Sequence, residues 1–149
     1  MNLDEAPSSP PRPAVYLIKH VQMELRKVLD EALAEIDLNS SHVAILSVLF
    51  SRPSLCNADL ARAAFVTPQT MIPLLGNLER RKLIRRISHP KGGRALLATL
   101  TPAGTRKLRE GWAAVQVAEN RMLKELTSED RIRFRSFLEV CLASLRAAR

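Results

Sequence analysis

Leu78-Glu-Arg-Arg-Lys-Leu-Ile-Arg-Arg-Ile-Ser-His-Pro-Lys-Gly-Gly-Arg-Ala-Leu-Leu-Ala-Thr-Leu-Thr101 is the stretch that decides the fold. It reads as a helix end running into a short strand, a Pro/Gly turn and a second short strand. Between Arg80 and Arg94 there are seven Lys or Arg and no Asp or Glu. A basic hairpin placed directly behind a helix suits a polyanionic partner.

The whole chain leans the same way. It has 149 residues, a formal net charge of +8 and 46% hydrophobic residues, enough for one domain with a real core. Only six residues are aromatic (four Phe, one Trp, one Tyr), and none interleaves with the basic run. Readers of single strands stack bases on aromatic platforms, so duplex DNA is the expected polyanion. No apolar run is long enough for a membrane span. No secretory pattern opens the chain, and two cysteines make no disulfide framework. The expected compartment is the cytoplasm.

Working outward from the hairpin, Thr67-Pro68 reads as a cap followed by proline at the first helical position, starting a helix that runs to about Lys82. Asn57 reads as the cap of a shorter helix before it, Ala58 to Ala64. Asn39 or Ser40 caps an apolar helix that ends before Pro53. Two short helices followed by a hairpin spell a winged helix-turn-helix over 40–100, with a two-stranded wing near Ile84–Ser88 and Ala95–Leu100. Long helices flank this unit. Ala14 to Ile36 carries one apolar stripe and spans about 34 Å. Thr101-Pro102 starts a helix to about Glu125, and Thr127 with Asp130 approximates a capping box for a last one. Phe134, Phe137, Leu138, Cys141, Leu142 and Leu145 line that last helix, with Cys141 read as a packing residue. A lone reader head needs no such helices, so 14–36 and 102–146 are expected to be dimerisation helices. Residues 1–13, with four prolines, are expected to form a flexible arm. The expected class is thus mainly α with a small β wing, in one domain over 14–149.

In this order and spacing the motifs resemble the multiple-antibiotic-resistance regulator (MarR) family. The resemblance covers about Val15 to Leu145. It is carried by Leu38 with His42, Leu60-Ala61, Val66-Thr67-Pro68-Gln69-Thr70, Leu78-Glu79-Arg80-Arg81-Lys82-Leu83-Ile84-Arg85-Arg86, Gly93-Arg94-Ala95, Leu100-Thr101-Pro102-Ala103-Gly104 and Leu126-Thr127-Ser128-Glu129-Asp130. It implies a homodimeric transcriptional regulator, usually a repressor, that reads a pseudo-palindromic operator and often answers to a small aromatic ligand or to oxidation.

Three positions depart from the family pattern. The wing tip reads Gly92-Gly93-Arg94 without the usual acid. Lys82 stands where the family has a helix-ending glycine. Pro73 falls inside the recognition helix and predicts a kink or a late start there. The groove-facing set is then Thr67, Pro68, Gln69, Thr70, Pro73 and Asn77, with Gln69 suited to adenine. Arg80, Arg81, Arg85, Lys91 and Arg94 are the expected phosphate or minor-groove contacts. Arg86, inside a strand, is the basic residue expected to be structural.

Tyr16, His20, His42 and Trp112 are candidates for lining an effector cavity between the long helices and the reader head; core or interface packing is the simpler account of each. Cys56 is expected to be a passive thiol. No metal or cofactor is expected, because the three histidines are scattered. No Gly-rich phosphate loop, nucleophile elbow or carboxylate cluster points to an enzyme. The alternative reading is a basic interaction module acting through a protein partner, with weak or non-specific DNA binding.

Overall fold

The computed structural model describes residues 13–90, 92 and 95–148; the arm at 1–12 and the wing-tip residues Lys91, Gly93 and Arg94 lie outside them. Six helices and three strands follow in the order α1 (Ala14–Ala34), α2 (Ser40–Ser51), β1 (Leu55–Cys56), α3 (Asn57–Ala63), α4 (Pro68–Arg80), β2 (Ile84–Ser88), β3 (Leu96–Leu100), α5 (Pro102–Met122) and α6 (Ser128–Ala147).

Local capping sets most of the helix starts. Asn39 accepts the His42 N–H at 2.9 Å, and Thr67 accepts that of Thr70 at 3.1 Å. Thr101 and Thr127 do the same for Gly104 and Asp130. Each satisfies a backbone donor that the first helical turn leaves without a partner. At α3 the expectation fails: Asn57 is the first helical residue rather than the cap. Its Nδ2 reaches instead to Pro68 O at 3.4 Å, across the helix-turn-helix.

The wing is a three-stranded antiparallel sheet in the order β1-β3-β2, one strand more than expected. Ile84 pairs with Leu100 and Ser88 with Leu96, while Leu55 and Cys56 take the free edge of β3 opposite Ala98 and Leu97. Two residues show no periodicity of their own, so β1 exists only because β3 offers it an edge.

The recognition helix α4 begins at Pro68 and continues helical past Pro73, without the late start that was one of the two outcomes expected from sequence. Proline forfeits a single bond to Gln69 O, at a cost of about 3 kcal/mol in a helix interior. Met71, Leu75 and Leu78, each at most 2% exposed, hold the opposite side of the helix in the core. Gly76, one turn on, costs roughly 1 kcal/mol relative to Ala.

The core is built on α2, α3, α4 and the sheet, around Ile45, Leu46, Leu49, Leu60, Met71 and Ile84, with Leu33 and Leu108 closing it from α1 and α5. Lys82 ends α4 in the left-handed region (φ 57°), a conformation that costs a side-chain-bearing residue about 1 kcal/mol. The turn is fixed from outside: the Thr101 hydroxyl donates to Lys82 O at 2.7 Å. Gly104 sits so close that a Cβ there would lie 1.9 Å from Leu83 O. The start of α5 is therefore locked to the end of α4.

By contrast, α6 contains no buried residue. In the apolar stripe Phe137 and Leu145 are more than 60% exposed, Leu138 and Leu142 more than 40%, and Cys141, expected to be packed, is exposed as well. The apolar stripe read from the sequence is present, and this chain alone does not cover it. Val15, Tyr16, Leu17 and Ile18 on the first turns of α1 are likewise about half exposed or more.

Candidate nucleic-acid interface

With Met71, Leu75 and Leu78 inward, 3.6 residues per turn places Gln69, Pro73, Gly76 and Arg80 along the outward line of α4. Thr70 and Asn77 flank that line on one side and Ile72 on the other. Gln69, Thr70, Ile72, Pro73 and Arg80 are exposed, and Asn77 is half-buried. Thr67 is exposed too, but its hydroxyl is engaged in the cap, 2.9 Å from the Thr70 hydroxyl. Pro68, at the first helical position, is also exposed. Sequence reading missed Ile72 and Gly76 on this face. The spacing of the buried Met71, Leu75 and Leu78 is the signal that finds them.

The basic residues divide into two groups. Arg80 and Lys82 are exposed at the end of α4. Arg85 projects from β2, its Nε donating to Thr99 Oγ1 at 3.2 Å across the strand pair. Arg81 is half-buried, and its Nη1 donates to Asp37 O at 2.5 Å in the α1–α2 turn. Arg86 donates through Nε (2.8 Å) and Nη2 to Glu79 Oε2, the structural role expected of it. That hydrogen-bonded guanidinium holds the Glu79 carboxyl below its ordinary pKa, so Glu79 stays ionised with its charge offset by Arg86. Lys91 and Arg94, expected at the wing tip, fall outside the described residues. Gly92, between them, adopts φ 80° and donates to His89 O at 2.9 Å.

The four effector candidates are spread over three helices, with Tyr16 and His20 one turn apart on α1, His42 on α2 and Trp112 on α5. Tyr16 is 57% exposed on α1. His20 lines a groove between α1 and α5 with Val21, Leu25, Val28 and Arg121. Trp112 donates its indole N–H to Ser47 Oγ at 3.0 Å and meets Phe50 edge-on, ring centroids 5.2 Å apart. His42 is buried, with Nδ1 lacking a hydrogen-bond partner. Burial foremost, then the charge of Arg81, lowers its pKa, against an opposing pull from Asp30. A different groove, of about 390 Å³, does lie between α1 and the reader head, with Arg26, Ser40, Ser41, Phe65 and Leu74 in its lining. It is assembled from α1, α2, the turn after α3 and α4, which no local pattern reveals.

Cys56 is half-buried with Sγ 3.2 Å from Asp59 Oδ2. Among the described residues no group of three or more His, Cys, Asp or Glu is placed to hold a metal ion. Among the same residues, no helix is long and apolar enough to cross a membrane.

No family model matches the chain. Among characterised proteins it is 35% identical over 127 residues to the HTH-type transcriptional repressor Rv2887 of Mycobacterium tuberculosis, covering 85% of this chain and 91% of the repressor. The HTH-type transcriptional repressor Mb2911 of Mycobacterium bovis gives the same figures. Solved structures of the MarR family protein Rv2887 superpose with a TM-score of 0.76 in complex with salicylic acid (34% identity, 89% of this chain, 98% of that one). The score is 0.77 for its complex with DNA (33% identity, 88% and 98%). Apo MarR from E. coli, at 20% identity, shares the fold with a TM-score of 0.81 over 89% of this chain and 98% of that one. The winged helix-turn-helix, its capped recognition helix and the similarity to these repressors over nearly their whole length converge: the chain belongs to the MarR family of transcriptional regulators.

Proposed function

We propose that the protein is a homodimeric transcriptional repressor that grips duplex DNA with α4 and the wing and releases it when a small aromatic acid binds. The observation that carries the reading is the outward face of α4 flanked by the exposed cations of Arg80 and Arg85, with Glu79 neutralised by Arg86. In that setting Arg80, Lys82 and Arg85 hold phosphates, the first turns of α4 enter the major groove, and Lys91 and Arg94 reach the flanking minor groove. Arg81, bonded to Asp37 O, braces the head against the α1–α2 turn. The uncovered stripes of α6 and of the start of α1 pair with those of a second copy. This sets two heads about 34 Å apart, one turn of DNA.

The effector is assigned to the groove between α1 and the reader head. Arg26 supplies a cation for a carboxylate, Ser40 and Ser41 supply hydroxyls, and Phe65 and Leu74 supply apolar contact. A ligand wedged there changes the angle between the dimerisation helices and the head, and so the spacing of the two heads. The solved salicylic acid complex of the related Rv2887 supports this choice of ligand class. The reading includes no catalytic step and places the protein in the cytoplasm with the DNA it regulates.

Fluorescence anisotropy with labelled duplex across a salt series tests the proposal. Affinity should fall linearly on a log–log plot, with a slope near −0.9 for each phosphate neutralised. Salicylate should raise the dissociation constant at fixed salt. Affinity indifferent to salt would exclude phosphate-led binding and favour a protein partner.

A further inference from the structure

We propose, building on the DNA-binding reading above, that α4 identifies its operator through the C5-methyl groups of thymines, touched by Pro73 and Ile72, with Gly76 allowing the helix to approach closely enough for contact. The outward line Gln69, Pro73, Gly76, Arg80 holds no charge until its last member, and Ile72 beside it is 58% exposed. Pro73 and Gly76 are the two residue types a helix interior tolerates least, and they lie one turn apart on the outward side of α4, Pro73 exposed and Gly76 half-buried. The fold requires neither. A Cβ built at Gly76 meets nothing within 4 Å and its φ is not positive, so packing does not explain the glycine. Pro73 is exposed, and its ring fills no site in the core.

What explains both is a surface outside the chain that must be met closely and without hydrogen bonds. Among the base edges of the major groove only thymine offers such a group, its methyl; the others present donors and acceptors. Gln69, one turn before Pro73, supplies the complementary polar contact, a bidentate pair with adenine N6 and N7. An A·T-rich half-site satisfies all four residues.

The test starts with full-length protein selecting duplexes from a random pool. Each thymine in the selected half-site is then replaced by uracil, which removes only the methyl, and binding is measured by anisotropy at fixed salt. At two thymines per half-site uracil should weaken binding about fourfold, the worth of one buried methyl-sized group. Pro73→Ala and Ile72→Ala should each shrink the thymine–uracil difference at its own position. Pro73→Ala should also raise the melting temperature, which separates lost recognition from lost folding. Gly76→Ala should fold normally and weaken binding to the selected duplex about tenfold. Uracil tolerated at every thymine, or a selected half-site without thymine, overturns the inference while leaving salt-sensitive duplex binding intact. Absence of any salt-sensitive binding overturns the DNA-binding reading itself, and this inference with it.

Discussion

Arg86 on β2 and Glu79 on α4 are joined through two guanidinium nitrogens on a single carboxylate oxygen. The pair does two things at once. It ties the wing to the recognition helix, and it offsets the negative charge of Glu79 next to Arg80.

Removing Arg86 should therefore weaken DNA binding although Arg86 contacts no DNA in this reading. Arg86→Ala leaves Glu79 bare beside Arg80, where it repels phosphate. The loss of stability should be modest, about 0.5–1 kcal/mol, because both side chains are about a third exposed. Combining Arg86→Ala with Glu79→Ala should restore most of the affinity. The cycle of single and double variants, read by anisotropy, isolates the coupling; additive losses would show that Arg86 touches DNA directly. The pair should also set an acid limit. The Glu79 pKa is depressed in the folded state, so its contribution is present at neutral pH and fades as pH falls through the acid range. Glu79→Gln should flatten that limb.

Arg80 and Arg81 are neighbours in sequence but about 100° apart around a helix, and they should behave oppositely. Arg80→Ala should leave the melting temperature within about 1 °C and reduce the salt slope of the dimer by about two, one for each head. Arg81→Ala removes the donor that Asp37 O accepts and should cost about 1 kcal/mol, a drop of roughly 2–4 °C, with little change in slope. Equal slopes for both variants and the parent would mean that neither meets a phosphate.

Much of this was legible because capping and amphipathicity are local. Thr67-Pro68 and Thr101-Pro102 mark helix starts with nothing needed from elsewhere in the chain, and the apolar periodicity marks which side faces in. The misses share a cause as well. Leu55–Cys56 is a strand only through β3, about 40 residues later. Pro73 sits in an unbroken helix because Met71, Leu75 and Leu78 are anchored by the core. The groove at Arg26, Ser40 and Phe65 exists only once α1, α2 and the turn after α3 are brought together. Long-range contacts overrode local propensity in each case.

His42 should make folding stability depend on pH near neutrality. It is buried between Arg81 and Asp30, and its pKa is lowered by burial first and by Arg81 second. The unfolded chain therefore binds a proton more readily than the folded one. The sign follows: stability is full above the ordinary histidine pKa and declines as pH falls below it. Thermal melts between pH 8 and 5 should show this decline in the parent, and His42→Gln should remove it. Parallel curves for the two proteins would assign the pH dependence to another group.

The exposed stripe of α6 predicts an obligate pair. Phe137 is 66% exposed and Leu145 70% in the single chain, more apolar surface than an isolated helix face would leave to water. Phe137→Glu should place a charge in that interface and convert a two-chain species, measured by light scattering, into a one-chain species with α6 still helical by circular dichroism. Operator affinity should then fall by a hundredfold or more, because two linked heads gain an effective concentration that separate heads lack. The isolated head should keep a roughly halved salt slope, since each head carries its own phosphate contacts. A parent protein that scatters as a single chain, or a Phe137→Glu variant that stays paired, would assign the stripe some other cover.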